Sequence, residues 1–206
     1  MISIDHIHPG ILHSLRETGM FNDREIEQCL GYFEKKIFKK KQNFLTAGEI
    51  CNTKGIVNKG CFRRFITDDH GKEVILNFAL EDWWIGDLDS FNNHKPTEYN
   101  VQALEDSEVL CIVREKHNAL CEAMPKYRTF HEEKTKRSHY ASLKRLTTAQ
   151  SGSPEEKYLL LMKQQPQLFQ RVPMHFIASY LGIEPESLSR LRKRLNEKEK
   201  NLNQSQ

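Results

Sequence analysis

The 206-residue chain has little of what would mark a membrane, secreted or iron–sulfur protein. No apolar run approaches the roughly 18 residues that a membrane-spanning helix needs. Residues 1–16 include Asp5, His6 and Pro9 and contain no apolar stretch of the kind found in signal peptides. The 5 cysteines form no CxxC pair, and only Cys29 lies near the N-terminus, so we expect reduced, buried thiols rather than disulfides or a metal cluster. These absences favour a cytoplasmic protein without a membrane partner.

Catalytic motifs are absent as well. The sequence has no nucleophile elbow, Walker loop, HExxH helix or dinucleotide-binding glycine pattern, and its acidic residues are scattered. His6, His8 and His13 are not accompanied by a second group of ligands, so no metal site is predicted. We therefore expect a protein that is not an enzyme and has no cofactor. Haem sensing is left open, because a haem needs only one axial histidine.

What the sequence does have is an uneven distribution of charge. The net charge is +3, but the residues from 126 onward hold 16 Lys and Arg against 8 Asp and Glu, and the residues before them are net acidic. A basic C-terminal part favours a polyanionic partner, although a solvated charged face has the same composition.

The patterns before residue 114 predict helices followed by strands. Asn22 is a suitable N-cap for a helix over 23–30. Between Tyr32 and Val113, short segments rich in β-branched residues alternate with turn signals such as Asp69-His70-Gly71. Strands at this spacing predict an antiparallel sandwich or barrel, and hence an α+β protein.

A long helix is predicted next. Pro125 suits a first helical turn, and residues 126–149 contain neither glycine nor proline. Their apolar stripe is broken, so the helix either bridges solvent or pairs with the same helix of a second copy. We favour a homodimer, with an interface formed by three apolar side chains: Phe130, Tyr140 and Leu143.

The C-terminal part fits a helix–turn–helix. Ser151-Gly152-Ser153-Pro154 is the clearest domain boundary in the chain, and Ser153 can cap the helix that follows. Within residues 174–193, Ala178 allows two short helices to cross closely, Gly182 suits the turn between them, and Pro185 opens the second helix.

The second of these helices carries side chains suited to DNA. Its apolar residues are predicted to face the first helix, so that its polar and basic residues face solvent. A structural helical hairpin with a charged face is the alternative. The predicted DNA-binding residues are Glu186, Ser187, Ser189, Arg190, Lys193 and Arg194.

Two segments resemble the Crp/Fnr family of transcription regulators, in particular the branch found in Bacteroidetes. They are RVPMHFIASYLGIEPESLSRLRKRL at 171–195, and EDWWIGDLDSF at 81–91 with the following YNVQALEDSEVL at 99–110. The resemblance implies an N-terminal cyclic-nucleotide-binding-type β-roll (a double-stranded β-helix), a dimerisation helix and a C-terminal winged helix–turn–helix. It also implies that Glu186 and Arg190 contact base edges.

On this basis we divide the chain into three parts and expect four kinds of partner. The parts are a sensor domain over 1–124, a dimerisation helix and hinge over 125–150, and a DNA-binding domain over 151–206. The partners are double-stranded DNA with a near-palindromic site, a second copy of the chain, RNA polymerase and an unidentified small-molecule effector.

The effector site departs from the family pattern. Members that bind cyclic AMP hold its ribose with a Gly-Glu pair and its phosphate with an Arg-Ser pair. The matching residues here are Gly86-Asp87 and Thr97-Glu98, and no arginine lies between Phe65 and Val113. We therefore expect that the pocket does not bind cyclic AMP, and that it binds another ligand or none; Gly86-Asp87 also fits a simple turn. The alternative function is a ligand-binding or partner-binding module without DNA activity.

Overall fold

The computed structural model describes residues 2–18 and 20–204, except for the side chains of 18, 137, 139, 141–151, 196 and 198–204. A short 3-10 turn (Ile4–His6) and a π-turn (Ser14–Thr18) accompany the N-terminal helices. The α-helices of this part of the chain are α1 (Pro9–His13), α2 (Asp23–Leu30), α3 (Leu88–Asn93), α4 (Arg114–Ala123), α5 (Pro125–Ser151), α6 (Pro154–Gln164), α7 (Leu168–Arg171), α8 (Met174–Leu181) and α9 (Pro185–Gln204).

The strands form two antiparallel four-stranded sheets, ordered β1-β8-β3-β6 and β2-β7-β4-β5. They are β1 (Glu34–Phe38), β2 (Asn43–Leu45), β3 (Thr53–Lys59), β4 (Phe62–Thr67), β5 (Glu73–Ala79), β6 (Trp84–Ile85), β7 (Asn100–Ala103) and β8 (Ser107–Val113). The predicted Asp-His-Gly turn joins β4 to β5, and Gly71 takes a φ of 79° there. The antiparallel α+β arrangement is confirmed, and the two sheets enclose the roll interior.

Local signals set several helix boundaries as predicted. The Asn22 side chain accepts a hydrogen bond from the Glu25 N–H, and the Glu25 carboxylate accepts one from the Asn22 N–H. Ser153 and Glu156 form the same reciprocal cap at the start of α6. These caps satisfy backbone N–H groups that the helix itself leaves open.

The first half of α5 packs against the chain's own roll. Lys126 forms an ion pair with Glu25 at 2.9 Å, and Lys134 pairs with Asp82 at 2.8 Å. Between them, Phe130 is 5% exposed and its ring meets the Phe21 ring edge-on at 5.9 Å. This half of α5 is therefore held against the N-terminal helices and the roll by apolar packing and by charge.

The structure describes no wing. After Val113, residues 114–204 form α-helices and short connectors, with no strand among them. A wing is a β-hairpin, and residues 186–204 contain no glycine or proline to turn one. Their leucines, lysines, arginines and glutamates favour a continuous helix instead.

The cysteines and the helix lengths bear on two expectations from the composition. All five cysteines are free and buried, as predicted. None of the helices in residues 2–18 and 20–204 combines the length and apolarity that a bilayer span requires.

Candidate nucleic-acid interface and effector cavity

The C-terminal helices α8 and α9 form a pair, here called the terminal helical pair, joined at Gly182. Gly182 has a φ of 67°, a left-handed conformation that glycine adopts without strain, and the Ile183 N–H donates to the Ala178 carbonyl at 2.9 Å. Ala178 and Leu188 are buried in a shared apolar cluster. The sequence predicted this turn and these buried positions correctly.

The outward face of α9 presents most of the predicted DNA-binding side chains. Glu186, Ser189, Arg190, Lys193 and Arg194 are exposed, and Ser187 is half-buried. The Arg190 guanidinium donates to the Ser187 hydroxyl at 3.0 Å. Arg194 forms an ion pair with Glu155 of α6. The arrangement is a helix with an apolar side on the protein and a polar, basic side facing solvent.

The residues that match the family's nucleotide-binding positions bond to one another. The Asp87 carboxylate caps α3 by accepting from the N–H groups of Asp89 and Ser90, at 3.0 Å and 3.4 Å. Its other oxygen accepts from the Thr97 hydroxyl at 2.7 Å. Asp87 and Thr97 are both buried, so this segment is closed by its own hydrogen bonds.

Three charged residues lie beside this segment, and none bonds to the Asp87 or Thr97 side chain in the part of the chain that the structure describes. Glu98 is exposed, and Lys95 pairs with Asp89 at 2.5 Å. Arg114 lies at the start of α4 and donates to the carbonyls of Phe91 and Cys51, at 2.7 Å and 3.0 Å. Arg114 therefore supports the segment through its backbone.

The sequence analysis missed the arginine that lines the roll cavity. A small, partly open space is lined by residues from β4 to β7, including Arg64, Asn77, Trp84 and Gly86. The Arg64 guanidinium lies 4.9 Å from the centre of the Tyr99 ring. Arg64 belongs to strand β4 and comes one residue before Phe65, where the arginine-free range 65–113 begins. Alternation along β4, with Phe62 in the roll interior, could have indicated it.

The predicted dimer residues fall in different environments. Phe130 packs within its own chain, Tyr140 is 68% exposed, and the Leu143 side chain lies outside the described residues. Of the three, only Tyr140 is shown facing solvent.

A buried lysine lies beneath α5, between two histidines. Lys54 of β3 is 4% exposed, and its Nζ lies 3.1 Å from His117 Nε2 and 2.9 Å from His131 Nε2. The Phe91 ring centre is 4.3 Å from the same Nζ. Burial lowers the pKa of Lys54 to about 8, and burial together with the Lys54 charge lowers the pKa of His117 to about 4 and of His131 to about 3.

A second charged cluster joins the C-terminal helices to the roll. Arg171, the last residue of α7, donates to Glu81 at 2.8 Å and 2.9 Å and also bonds Glu105. Burial acts to raise the pKa of Glu81, but the hydrogen bonds from Arg171 and from the Gly60 N–H outweigh it and lower that pKa to about 2. The hydrogen bond to Glu81 raises the pKa of Arg171.

Comparisons with known proteins agree with this architecture. Residues 35–124 match the family model of the cyclic nucleotide-binding domain. No curated protein sequence matches the chain.

Several solved structures share the fold over most of its length. They include the c-di-GMP responsive global regulator CLP of Xanthomonas campestris (15% identity over 86% of this chain and 93% of that one, TM-score 0.70). FixK2 of Bradyrhizobium japonicum aligns at 16% identity over 81% of this chain and 85% of its own, with a TM-score of 0.69. The catabolite activator protein of Thermus thermophilus aligns at 22% identity over 92% and 87%, with a TM-score of 0.55. At these identities the likeness shows the fold, which is that of a cyclic-nucleotide-binding-type β-roll followed by helices.

Proposed function

We propose that the chain is a sequence-specific, DNA-binding transcription regulator of the Crp/Fnr type that acts as a homodimer. The observation that carries the proposal is the outward face of α9, where Glu186, Ser189, Arg190 and Lys193 are exposed beside a buried apolar face. A helix of this kind can enter the major groove with its first turns against base edges. The fold shared with CLP, FixK2 and the catabolite activator protein supports the same proposal.

The exposed Tyr140 of α5 supports the dimer part of the proposal. Pairing of two such helices along a twofold axis buries Tyr140 and places two α9 helices about one DNA turn, roughly 34 Å, apart. The target is then a near-palindromic site, on which the bound protein recruits or excludes RNA polymerase. Sedimentation at micromolar concentration should give a dimer, and a monomer in the presence and absence of DNA would contradict this part of the proposal.

The experiment that tests DNA binding begins with selection of bound sequences from random duplex DNA by the full chain. Arg190 can donate two hydrogen bonds to a guanine edge, and Glu186 can accept one from cytosine. Arg190→Ala should therefore cost about 1–3 kcal/mol per half-site and relax base preference at one position. Absence of any selected sequence would favour a binding module without DNA activity.

A pair of variants separates base contacts from phosphate contacts. Lys193→Ala should weaken binding to all sequences alike, and reduce the slope of log affinity against log salt by about one unit for each phosphate that is no longer neutralised. Lys116→Ala removes the same charge from the exposed side of α4 and should change neither quantity. If Arg190→Ala leaves the selected sequence unchanged, the proposed orientation of α9 is wrong.

We further propose that cyclic AMP is not the effector of the roll. A cyclic phosphate that loses its hydration needs charge-assisted hydrogen bonds, which a bidentate arginine provides best. Here the matching positions hold Thr97, which bonds Asp87, and the exposed Glu98. Loss of one partner of a buried ion pair costs about 3–5 kcal/mol, which is roughly two to four decades of affinity.

Calorimetric titration with cyclic AMP and cyclic GMP tests this proposal. We expect no binding with a dissociation constant below about 10 μM, which corresponds to roughly 7 kcal/mol. A tighter constant, accompanied by tighter DNA binding, would contradict it. Loss of that binding in Arg64→Ala would then identify Arg64 as the group that holds the phosphate.

A further inference from the structure

Helix α8 has one buried face and a second, half-buried face. Ile177, Ala178 and Leu181 pack in the apolar cluster with Leu188 and Leu191 of α9. On another side of the helix, Phe176, Ser179 and Tyr180 contact the roll; their spacing of three and four residues places them on one stripe. A DNA-reading helix pair needs only the first face, so the second face indicates a contact with a separate role.

The second face contacts the edge of a sheet. Strand β5 is the last strand of its sheet, so one side of its backbone has no neighbouring strand. The Ser179 hydroxyl accepts from the Ile75 N–H at 3.1 Å and donates to the Glu73 carbonyl at 3.2 Å. One side chain of α8 therefore satisfies both a donor and an acceptor of the strand edge.

Aromatic contacts extend this surface on both sides of Ser179. The Tyr180 ring lies 5.2 Å from the Phe78 ring of β5. The buried Arg63 guanidinium lies 4.1 Å from the Phe176 ring and 4.0 Å from the Phe65 ring. Stacking of this kind restricts rotation of α8 over the sheet.

The ion pairs of Arg171 with Glu81 and Glu105 lie just before the first residue of α8. Glu81 follows β5 and Glu105 follows β7, so the two carboxylates that Arg171 bonds belong to the roll. Arg171 is separated from the first residue of α8 by Val172 and Pro173, and proline limits the freedom of that connection. Ion pairs just before α8, and hydrogen bonds and ring contacts along it, thus hold the same short helix against the roll.

We propose that this docking surface fixes the orientation of the terminal helical pair, and thereby the half-site spacing that the dimer accepts. The docking surface consists of Arg171, Phe176, Ser179 and Tyr180 on the helices, and of Glu81, Glu105 and the β4–β5 edge on the roll. The inference rests on the proposed function. The outward face of α9 remains exposed while α8 is docked, so the contact does not block DNA. Because α9 packs on α8, the angle between the roll and α8 determines where each α9 helix lies.

The test measures spacing tolerance with the full chain. The sequence selected by the wild type is made into a series in which the two half-sites are moved apart or together by one or two base pairs. We expect the wild type to prefer one spacing by about tenfold or more, which corresponds to about 1.4 kcal/mol. Arg171→Ala should reduce that preference to about threefold or less, roughly half of that free energy. Its affinity for DNA that carries a single half-site should equal that of the wild type.

Matched variants distinguish a change in the orientation of the terminal helical pair from a loss of folding. Arg16→Ala breaks an arginine–aspartate pair, 2.8 Å long and away from the docking surface, and should keep the wild-type spacing preference. Arg171→Lys keeps the charge and should restore much of the preference. Ser179→Ala removes the bonds to the strand edge and should broaden the spacing to a smaller degree, so the inference can be tested even if Arg171→Ala does not fold.

The outcomes for the inference and for the proposed function are distinct. If the wild type binds no DNA, the proposed function fails, and the inference with it. If the wild type binds with one preferred spacing and both Arg171→Ala and Ser179→Ala keep it, the inference is overturned while the function stands.

Discussion

Two cations join helices to the roll, the buried Lys54 and the partly exposed Arg171, and they differ in what neutralises them. Lys54 holds His131 of α5, and none of the ion pairs in the part of the chain that the structure describes includes it. Arg171 joins α7 to the roll through two carboxylates, Glu81 and Glu105. Lys54 is charged although its burial disfavours the charged form, whereas Arg171 is stabilised by two carboxylates of opposite charge.

This difference gives the two contacts different sensitivities to acid. At the Lys54 cluster the folded state holds His117 and His131 neutral, with pKa values of about 4 and 3. At the Arg171 cluster the pKa of Glu81 is about 2, so the ion pair persists through the same pH range. Acid should therefore weaken the contact of α5 before that of the terminal helical pair.

The largest expected effect is the loss of stability between pH 6.5 and pH 5. The unfolded state binds protons at both histidines below about pH 6.5, while the folded state excludes them, so the free energy of unfolding falls as pH falls. Each histidine should contribute up to about 2 kcal/mol over this range, at about 1.4 kcal/mol per pH unit. Urea unfolding followed by tryptophan fluorescence measures it.

The control for acid sensitivity is a double variant, His117→Gln with His131→Gln. Glutamine can still accept a hydrogen bond from Lys54 but does not titrate. We expect the dependence on pH below 6.5 to become much flatter in this variant. An unchanged slope would show that other groups, and not this cluster, determine the response to acid.

A smaller effect is expected for Arg171→Ala at pH 7. The substitution leaves Glu81 and Glu105 close together without their cation. Fully buried pairs lose about 3–5 kcal/mol in this way, and because these side chains are partly exposed we expect about 2–3 kcal/mol. The change should appear as a lower urea midpoint, and Glu81→Gln in the same background should recover part of it by removing one negative charge. No recovery would argue against carboxylate repulsion.

The smallest effect is expected for Lys54→Met. This substitution removes a cation whose burial is costly, but it also removes the hydrogen bonds to His117 and His131. The two changes oppose each other, and we expect a net change within about 1 kcal/mol at pH 7. Without the Lys54 charge, the pKa values of both histidines should rise, which nuclear magnetic resonance can follow. A loss as large as that of Arg171→Ala would show that the two contacts are alike.

Local chemistry explains which parts of the fold the sequence predicts well. The caps at Asn22 and Ser153, the start of α5 at Pro125 and the turn at Gly182 depend on residues within about one helical turn. Each of these was confirmed. The wing was expected only from a family resemblance, and no local signal in residues 186–204 supports it.

Contacts between distant segments explain what the sequence did not predict. Phe130 fits either a dimer interface or an intrachain core, and only the position of Phe21 decides between them. Lys54 would be assigned to the surface by its type, yet three separate elements enclose it. The sequence of α8 did contain a signal for the docking surface, because its apolar residues cover more than one face of the helix. It could not show which partner they contact, because Ile75 at the sheet edge is 104 residues away from Ser179 in the sequence.

The bonds of Ser179 also bear on how the roll behaves without its helices. A chain that stops before Met174 would leave the Ile75 N–H and the Glu73 carbonyl facing solvent on an open strand edge. Such an edge can add a strand from another molecule, including β5 of a second copy. The isolated roll should therefore self-associate into an extended sheet and be poorly soluble, whereas the full chain covers that edge with its own helix.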